Sequence, residues 1–432
     1  MVFLALLLLG LANSLPLFQP EQIHISWGNE ETSMYVSWAS ILPSYGSKVQ
    51  YTRIKNPNQI TTSYTSEVEG TWVSYPNNDV HFFTRTLFSC HAELKNLSPG
   101  EFYQYRVGDD LSGWSKPFVF QAKKPDLGQP RKFIVYGDMG IEPETTSTVD
   151  ALKAETKNYE YDAIIHAGDM AYELSDTLGA KGDEFMNMIQ PFASRVPYMV
   201  AQGNHESWEM ENTSQYKYRF KMPGNSTNFW YSFNAGKAHF IAFSAEFVIQ
   251  GKPELQQQQL EFIKNDLKNL DRQKYPWVVM YTHRPIYCSA NKTGLLGIPW
   301  ERHNKDCLHS APTVRASFED IFYENKVDLL LFGHVHAYER LGPAYKNSSM
   351  GCEEESQNLC VNARASVSII SGMPGQGESY APVSPTPLPW SKSQNTVKGY
   401  GRLTVFNSTH LFWEQVSSQD QKVLDYLWLI KK

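Results

Sequence analysis

Cysteine is scarce in this chain: there are five in 432 residues, and no Cys-x-x-Cys pair occurs. A thiolate zinc site is thereby disfavoured. Basic charge is not in excess either. The formal net charge is −6, which gives no reason to expect a nucleic-acid partner or a membrane-surface patch. Beyond residue 14 no apolar stretch is long enough to span a bilayer. There is no internal repeat and no low-complexity tract. What is present is ordinary for a globular protein, with 41% apolar and 19% charged residues. Aromatics are plentiful at 13%, including 24 Tyr and 11 Trp, a composition suited to extracellular β-rich packing. The length implies two domains.

The first residues, MVFLALLLLGLANS, form an apolar run too short to cross a bilayer. The run closes on Ala12-Asn13-Ser14, a small-x-small cleavage pattern. Residues 1–14 therefore read as a secretory signal peptide, although a basic n-region is missing. The competing reading is a buried N-terminal helix, which Leu15-Pro16 would have to follow at once. Secretion agrees with six N-x-S/T sequons, at Asn96, Asn212, Asn225, Asn291, Asn347 and Asn407. Pro99 weakens the first of these. Cys352 and Cys360 frame one short polar loop, and Cys288 and Cys307 frame another, so these are the expected disulfides. Cys90 is left as a free, small, buried side chain in a strand. The expected location is secreted or lysosomal, with N-glycans.

Residues 19–123 read as short alternating strands (22–27, 33–38, 48–53, 82–87 and 103–107) separated by Asn, Gly and Pro. The segment HAELKNLSPGEFYQYRVG sets a Leu-x-x-Leu-x-Pro turn before a Tyr-x-Tyr strand. That is similar to the corner of a fibronectin type III-like β-sandwich, in which a Tyr hydroxyl ties down the turn. A linker rich in Pro and Gly follows at 123–131. From 131 to 430 short apolar runs alternate with helical segments, the pattern of an α/β domain with helices on both sheet faces. The clearest helix is 253–270, with Leu260, Ile263, Leu267 and Leu270 on one stripe. Another covers 312–326. Strands return at 366–371, 401–406, 410–416 and 423–429, as antiparallel hairpins completing the sheet. Residues 372–390 form a long loop.

Five apolar runs share one kind of ending. FIVYG leads to Asp138, and AIIHAG leads to Asp169 with Tyr172 close behind. YMVAQG leads to Asn204-His205-Glu206, WVVMYT to His283, and LLLFG to His334-Val-His336. Continuous apolar runs are what buried parallel strands require. In open α/β sheets, ligands gather beyond the carboxyl ends of the strands. A glycine precedes the polar residue in four of these endings, Gly137, Gly168, Gly203 and Gly333. Such glycines let the backbone turn out of the sheet and approach an ion closely. Singly, a Gly-Asp at a strand end is only a turn, and an H-x-H is usually satisfied by hydrogen bonds. Five together point to a metal site. Carboxylate, imidazole, amide oxygen and phenolate suit Zn, Mn or Fe, and a shared carboxylate suits a two-metal hydrolase.

In this order, GDMG, GDMAY, GNHE, THRP and GHVHAYER resemble the purple acid phosphatases of the metallophosphoesterase superfamily, in particular a secreted animal branch with a sandwich domain in front. The resemblance implies a metallophosphoesterase domain of two mixed sheets flanked by helices. It implies Fe(III) held by Asp138, Asp169, Tyr172 and His336. A second ion, Fe(II), Zn or Mn, would be held by Asp169, Asn204, His283 and His334. Tyr172 sets this family apart from other two-metal phosphoesterases. Its alternative role is aromatic packing at a helix start.

The activity implied is acid phosphatase, the hydrolysis of small phosphomonoesters by a metal-bound hydroxide. His205 would bind phosphate and protonate the leaving alkoxide. Glu206 either orients His205 or is a solvated loop acid. His303 is the expected further substrate contact, with His309 a rival in the same loop. Arg284 and Arg340 read as structural salt bridges, and His166 and His239 as core histidines. Phosphodiesters, phosphoanhydrides or nucleotides are the alternative substrates, and a non-enzymatic secreted binding protein is the alternative class. No membrane span and no nucleic acid are expected, and a homodimer is left open.

Overall fold

A computed structural model of the chain describes residues 18–43, 46–77, 84–207, 213–224, 228–289, 306–377, 381 and 383–432. The leader, His303 and the sequons at Asn212, Asn225 and Asn291 lie outside the described residues.

The front of the chain is a sandwich of two antiparallel sheets. One runs Glu21–Trp27, Met34–Ala39, Arg85–Leu94, Thr71–Asn77, and the other is built around Lys48–Ile54 and Phe102–Asp109. The tyrosine corner is present: the Ser98 N–H donates to Tyr103 Oη at 2.9 Å. Cys90 is free and buried in strand Arg85–Leu94.

Strand Met34–Ala39 is buried at every position, because both faces of its sheet are covered. Met34, Val36 and Trp38 join the main apolar core. Across the sheet, Ser37 meets the His91 imidazole at 2.8 Å, whose other nitrogen lies 3.0 Å from the Tyr218 carbonyl oxygen in the second domain. Arg219 fixes the two domains together, donating to Asp183 Oδ1, Gln22 Oε1 and Gln215 Oε1.

Two histidines at this junction have an acid-sensitive consequence. Burial pushes His24 down to about 4 and His91 down to about 3. In the unfolded chain both protonate near 6.5. The unfolded state therefore binds more protons as pH falls below 6.5, and stability is lost on that side, by about 2 kcal/mol for each histidine at pH 5. The thermal midpoint should fall between pH 7 and pH 5. His91→Gln, which keeps a donor for the Tyr218 carbonyl, should flatten part of the slope in calorimetry. An unchanged slope would assign the linkage to other groups.

The second domain holds two mixed sheets. The first is ordered Tyr198–Ala201, Ala163–Ala167, Arg131–Tyr136, Gly399–Val405, His410–Ser417, Val423–Ile430, Leu359–Val361, Glu354–Ser356. The second is ordered Tyr231–Ala235, Ala238–Ala242, Trp277–Tyr281, Leu329–Phe332, Val367–Ser371, Tyr338–Leu341, Ser391–Asn395. The sheets pack face to face, with Phe133 against Phe240 at 4.7 Å between ring centroids.

In the second sheet Phe240, Val279, Tyr281, Leu329 and Leu331 face the first, while Ile241, Val278, Met280, Leu330 and Phe332 cluster with Ile263, Leu267, Val314 and Phe318 of the helices. Burial on both faces is why these strands are continuously apolar. Helix Pro253–Asn269 buries Ile263 and Leu267, but its third buried residue is Gln259. The expected Leu260 and Leu270 are only partly buried. The Gln259 amide pairs with the Ser244 N–H and carbonyl at 2.7 and 2.9 Å, which satisfies it as a strand neighbour would. Disulfides join Cys288 to Cys307 and Cys352 to Cys360. Among the described residues no helix is long and apolar enough to cross a membrane.

Candidate metal centre

The five strand ends meet, but from two sheets rather than one. Asp138, Asp169 and Asn204 follow strands of the first sheet, and His283 and His334 follow strands of the second. At three ends the polar residue itself takes the left-handed turn, shared with the preceding glycine only at Gly168-Asp169. Asp138, Asp169 and His334 have φ of 63°, 54° and 69°, and Tyr172 has 54°. Left-handed backbone is uncommon for such residues and collects at functional sites.

Of the four preceding glycines only Gly168 has positive φ, at 80°. The others serve close packing of loops. A Cβ on Gly137 would stand 2.9 Å from Gly333 Cα and 3.0 Å from the Ala167 carbonyl oxygen. Glycine is needed there because loops of opposite sheets touch, whereas a Cβ on Gly203 or Gly333 would run into the carboxylates of Asp169 and Asp138.

Each carboxylate spends one oxygen on tying loops together. Asp138 Oδ2 accepts from the His334 N–H at 2.7 Å, and Asp169 Oδ1 accepts from the His205 N–H at 2.9 Å. The remaining side-chain atoms converge. His283 Nε2 lies 3.0 Å from Asp169 Oδ2, 3.1 Å from Asn204 Oδ1, 3.2 Å from His334 Nδ1 and 3.9 Å from Asp138 Oδ1. On the other side Tyr172 Oη lies 2.9 Å from His336 Nε2 and 3.4 Å from Asp138 Oδ1, and His336 Nε2 lies 3.4 Å from Asp138 Oδ1. All seven side chains named from the sequence are thus in one cluster. Ligand atoms of Asp169, His283 and His334 lie within 4.8 Å of one another, a spacing suited to one ion.

The donor set fits cations on its own chemistry. His283 Nδ1 faces the Ala167 carbonyl at 2.8 Å and so carries a proton. Its Nε2 can carry at most one more, yet it faces two oxygens that only accept. Lone pairs directed at one another in a buried site are what a cation relieves. Without one, burial disfavours charge on His283, but Asp169 and Asp138 outweigh it and hold the imidazole up at about 10.

His205 sits at the edge, its Nε2 3.7 Å from Asp169 Oδ2 and its ring 4.6 Å from that of Tyr172. Its Nδ1 is 2.5 Å from Glu173 Oε1. Burial opposes a charge on His205, but Asp169, Glu173 and Glu206 outweigh it and hold the imidazole up at about 9. Sequence reasoning missed Glu173, since a single acid after a tyrosine carries no pattern.

Glu206 neither orients His205 directly nor faces solvent. It is buried and accepts from the N–H groups of Asp169, Met170 and Gly203 at 2.8–2.9 Å. Arg284 pairs with Glu246 at 2.7 Å and also reaches His334 Nε2 at 2.8 Å, and Arg340 forks onto Asp425 at 2.6 and 3.0 Å. His166 is a core histidine, held down near 3 by burial and bonded to the Tyr198 hydroxyl, and His239 is held by Asn234 and Asp266. His309 is exposed on the single π-helical turn Asp306–Ser310.

Two packed sheets with such ligands at their carboxyl ends define a metallophosphoesterase, and a family model for the calcineurin-like phosphoesterases matches residues 131–338. Models for the purple acid phosphatase N-terminal domain and for an iron/zinc purple acid phosphatase-like C-terminal region match residues 20–122 and 365–426. The human protein named acid phosphatase type 7 is 36% identical over 435 residues, covering 99% of this chain and 95% of its own. The zebrafish protein of that name is 36% identical over 433 residues, covering 96% and 92%. The chain belongs to the purple acid phosphatase family. A purple acid phosphatase from yellow lupin seeds shares the fold, with a TM-score of 0.79 at 24% identity over 96% of this chain and 75% of that one.

Proposed function

We propose that this protein is a secreted acid phosphatase that hydrolyses small phosphomonoesters. The convergence of seven donor side chains around His283 and Tyr172 carries the reading. Asp138, Asp169, Tyr172 and His336 would hold Fe(III), and Asp169, Asn204, His283 and His334 a divalent ion (Fe(II), Zn or Mn). When bound, such a pair neutralises phosphate charge and lowers the pKa of water. A phenolate among the donors favours the trivalent ion.

The chain supplies the rest. His205 is held by Glu173 through Nδ1, which leaves Nε2 directed into the site beside Asp169. When protonated, Nε2 can bind a phosphate oxygen and then give its proton to the departing alkoxide. Glu173 positions His205, and Glu206 positions the loops that carry Asp169 and Asn204. Residues 1–14 would direct secretion, 19–123 form the front domain and 131–430 the catalytic one.

The test is the visible spectrum and metal content of protein recovered from the medium. A coloured protein with iron is expected, and a colourless, iron-free one would sink the iron assignment. Tyr172→Phe should bleach the visible band while some hydrolysis survives. If the band stays, another group is the chromophore. A panel of monoesters, diesters and nucleotides checks the substrate class.

A further inference from the structure

At the end of the second sheet away from the metal centre lies a cavity of about 590 Å³, a volume usual for a small-molecule site. Trp277, Asp328 and Ser366 line it, each at or just before the start of a strand in a parallel run. The other ends of those strands lead to His283, His334 and Gly372. A strand's length, roughly 15–20 Å, therefore separates the cavity from the centre. Five cationic side chains line it, Arg272, Lys326, Arg364, Lys431 and Lys432, against two acids, Asp328 and Glu353. On a chain of net charge −6 that is a local reversal of sign.

Part of this charge is already matched. Asp328 takes Lys431 at 2.7 Å, Arg272 at 3.3 Å and the Val278 N–H at 2.8 Å. Arg272 also donates to the carbonyls of Asn325 and Lys326, which offsets the negative end of helix Ala311–Glu324. Lys432 pairs with Glu354, and Glu353 accepts from the Asn362 amide at 2.7 Å. Lys326 and Arg364 are left over. Both are exposed, and among the described residues neither side chain has an acceptor within bonding distance. Beside them Tyr323, Met350 and Ile430 form an apolar wall. Tyr323 is fixed there by stacking on Tyr345, at 3.8 Å between ring centroids and 7° between planes.

We propose that this cavity binds a small organic anion, in which a sulfonate, sulfate, phosphate or carboxylate is carried on an apolar body. Lys326 and Arg364 meet the charged group at the mouth, where the guanidinium can hold two oxygens at once. The body lies against Tyr323 and Met350 and removes apolar surface from water on both partners. A bare inorganic anion would gain only the exposed charge pairs, which are weak in water. The apolar body therefore decides the affinity. This site is separate from the metal centre and does not depend on the phosphatase reading.

The test uses the full chain and anilinonaphthalene sulfonate, an anion whose fluorescence rises in apolar surroundings. A saturable rise is expected, reversed by phenyl sulfate and much less by sodium sulfate at the same concentration. Lys326→Glu combined with Arg364→Glu should weaken probe binding by about tenfold. Arg53→Glu combined with Lys55→Glu, the same change of charge at exposed positions of the front domain, should leave it unaltered. Ala363→Trp, at an exposed position of the lining, should block the probe. Asp169→Asn, which alters only the metal centre, should bind it normally. Unchanged affinity in the Lys326/Arg364 variant overturns the proposal, because the probe then sits elsewhere. Loss of binding in Asp169→Asn overturns it too, by placing the probe at the metal centre. Sodium sulfate competing as well as phenyl sulfate would refute the need for an apolar body.

Discussion

Asp169→Asn should leave a folded protein that no longer holds two metal ions and has lost at least about 10³-fold in kcat/KM. Loss of an outer support alone costs about 10–100-fold in metal affinity or activity. Asp169 stands closer than that. Its Oδ2 is 3.0 Å from His283 and its Oδ1 ties down the His205 N–H. The amide is isosteric, so one group can still accept from His205 and the left-handed turn at φ 54° is unchanged. Asn tolerates that conformation well, which is why the fold should survive.

What disappears is a buried negative charge that two ions would share. Charges at such a site are weakly screened, so one removed charge outweighs any small change in packing. Metal analysis after dialysis and kcat/KM on an aryl phosphate check the outcome. A variant that retains two ions and near-normal turnover would remove Asp169 from the bridging role. Circular dichroism separates a lost site from a lost fold.

The strand-end residues were legible because an apolar run that stops abruptly on Asp, Asn or His marks a carboxyl-terminal strand edge. The partition of those strands was not, since a run buried between two sheets looks the same as one buried between a sheet and a helix. Phe133 and Phe240 meet across the sheets, yet nothing in their local sequence says so. Short-range pattern also fails where polar residues do apolar work, as at Gln259, or where an edge strand contains proline. Thr71–Asn77 includes Pro76, tolerated because the strand is the last of its sheet. The tyrosine corner was readable because its parts are local, with Ser98 and Tyr103 a few residues apart. Glu173 was not, because its partner His205 lies 32 residues away. Side-chain pairing across loops leaves no periodic trace.

Glu206→Gln should be the second large effect, and it reaches the metals through the loops and not through a lost ligand. The carboxylate gives Oε2 to the N–H groups of Asp169 and Gly203 and Oε1 to that of Met170. Two of these donors lie on the Asp169 loop, and the third adjoins Asn204. A glutamine can present one oxygen to two of the N–H groups. Its own amide N–H then faces the third donor, with no water to separate them at 3% exposure. One buried, unpaired N–H costs about 1–3 kcal/mol.

The thermal midpoint should therefore fall, and metal retention should drop by about 10–100-fold, as for other supports of ligands. Glu206→Ala should do worse, leaving all three N–H groups unpaired beside a cavity. Chelator challenge followed by metal analysis reads the effect directly. If Glu206→Gln kept wild-type stability and metal, the loops of Asp169 and Asn204 would have to be held by their own packing, with Gly168 pressed against Gly203 as the contact that remains.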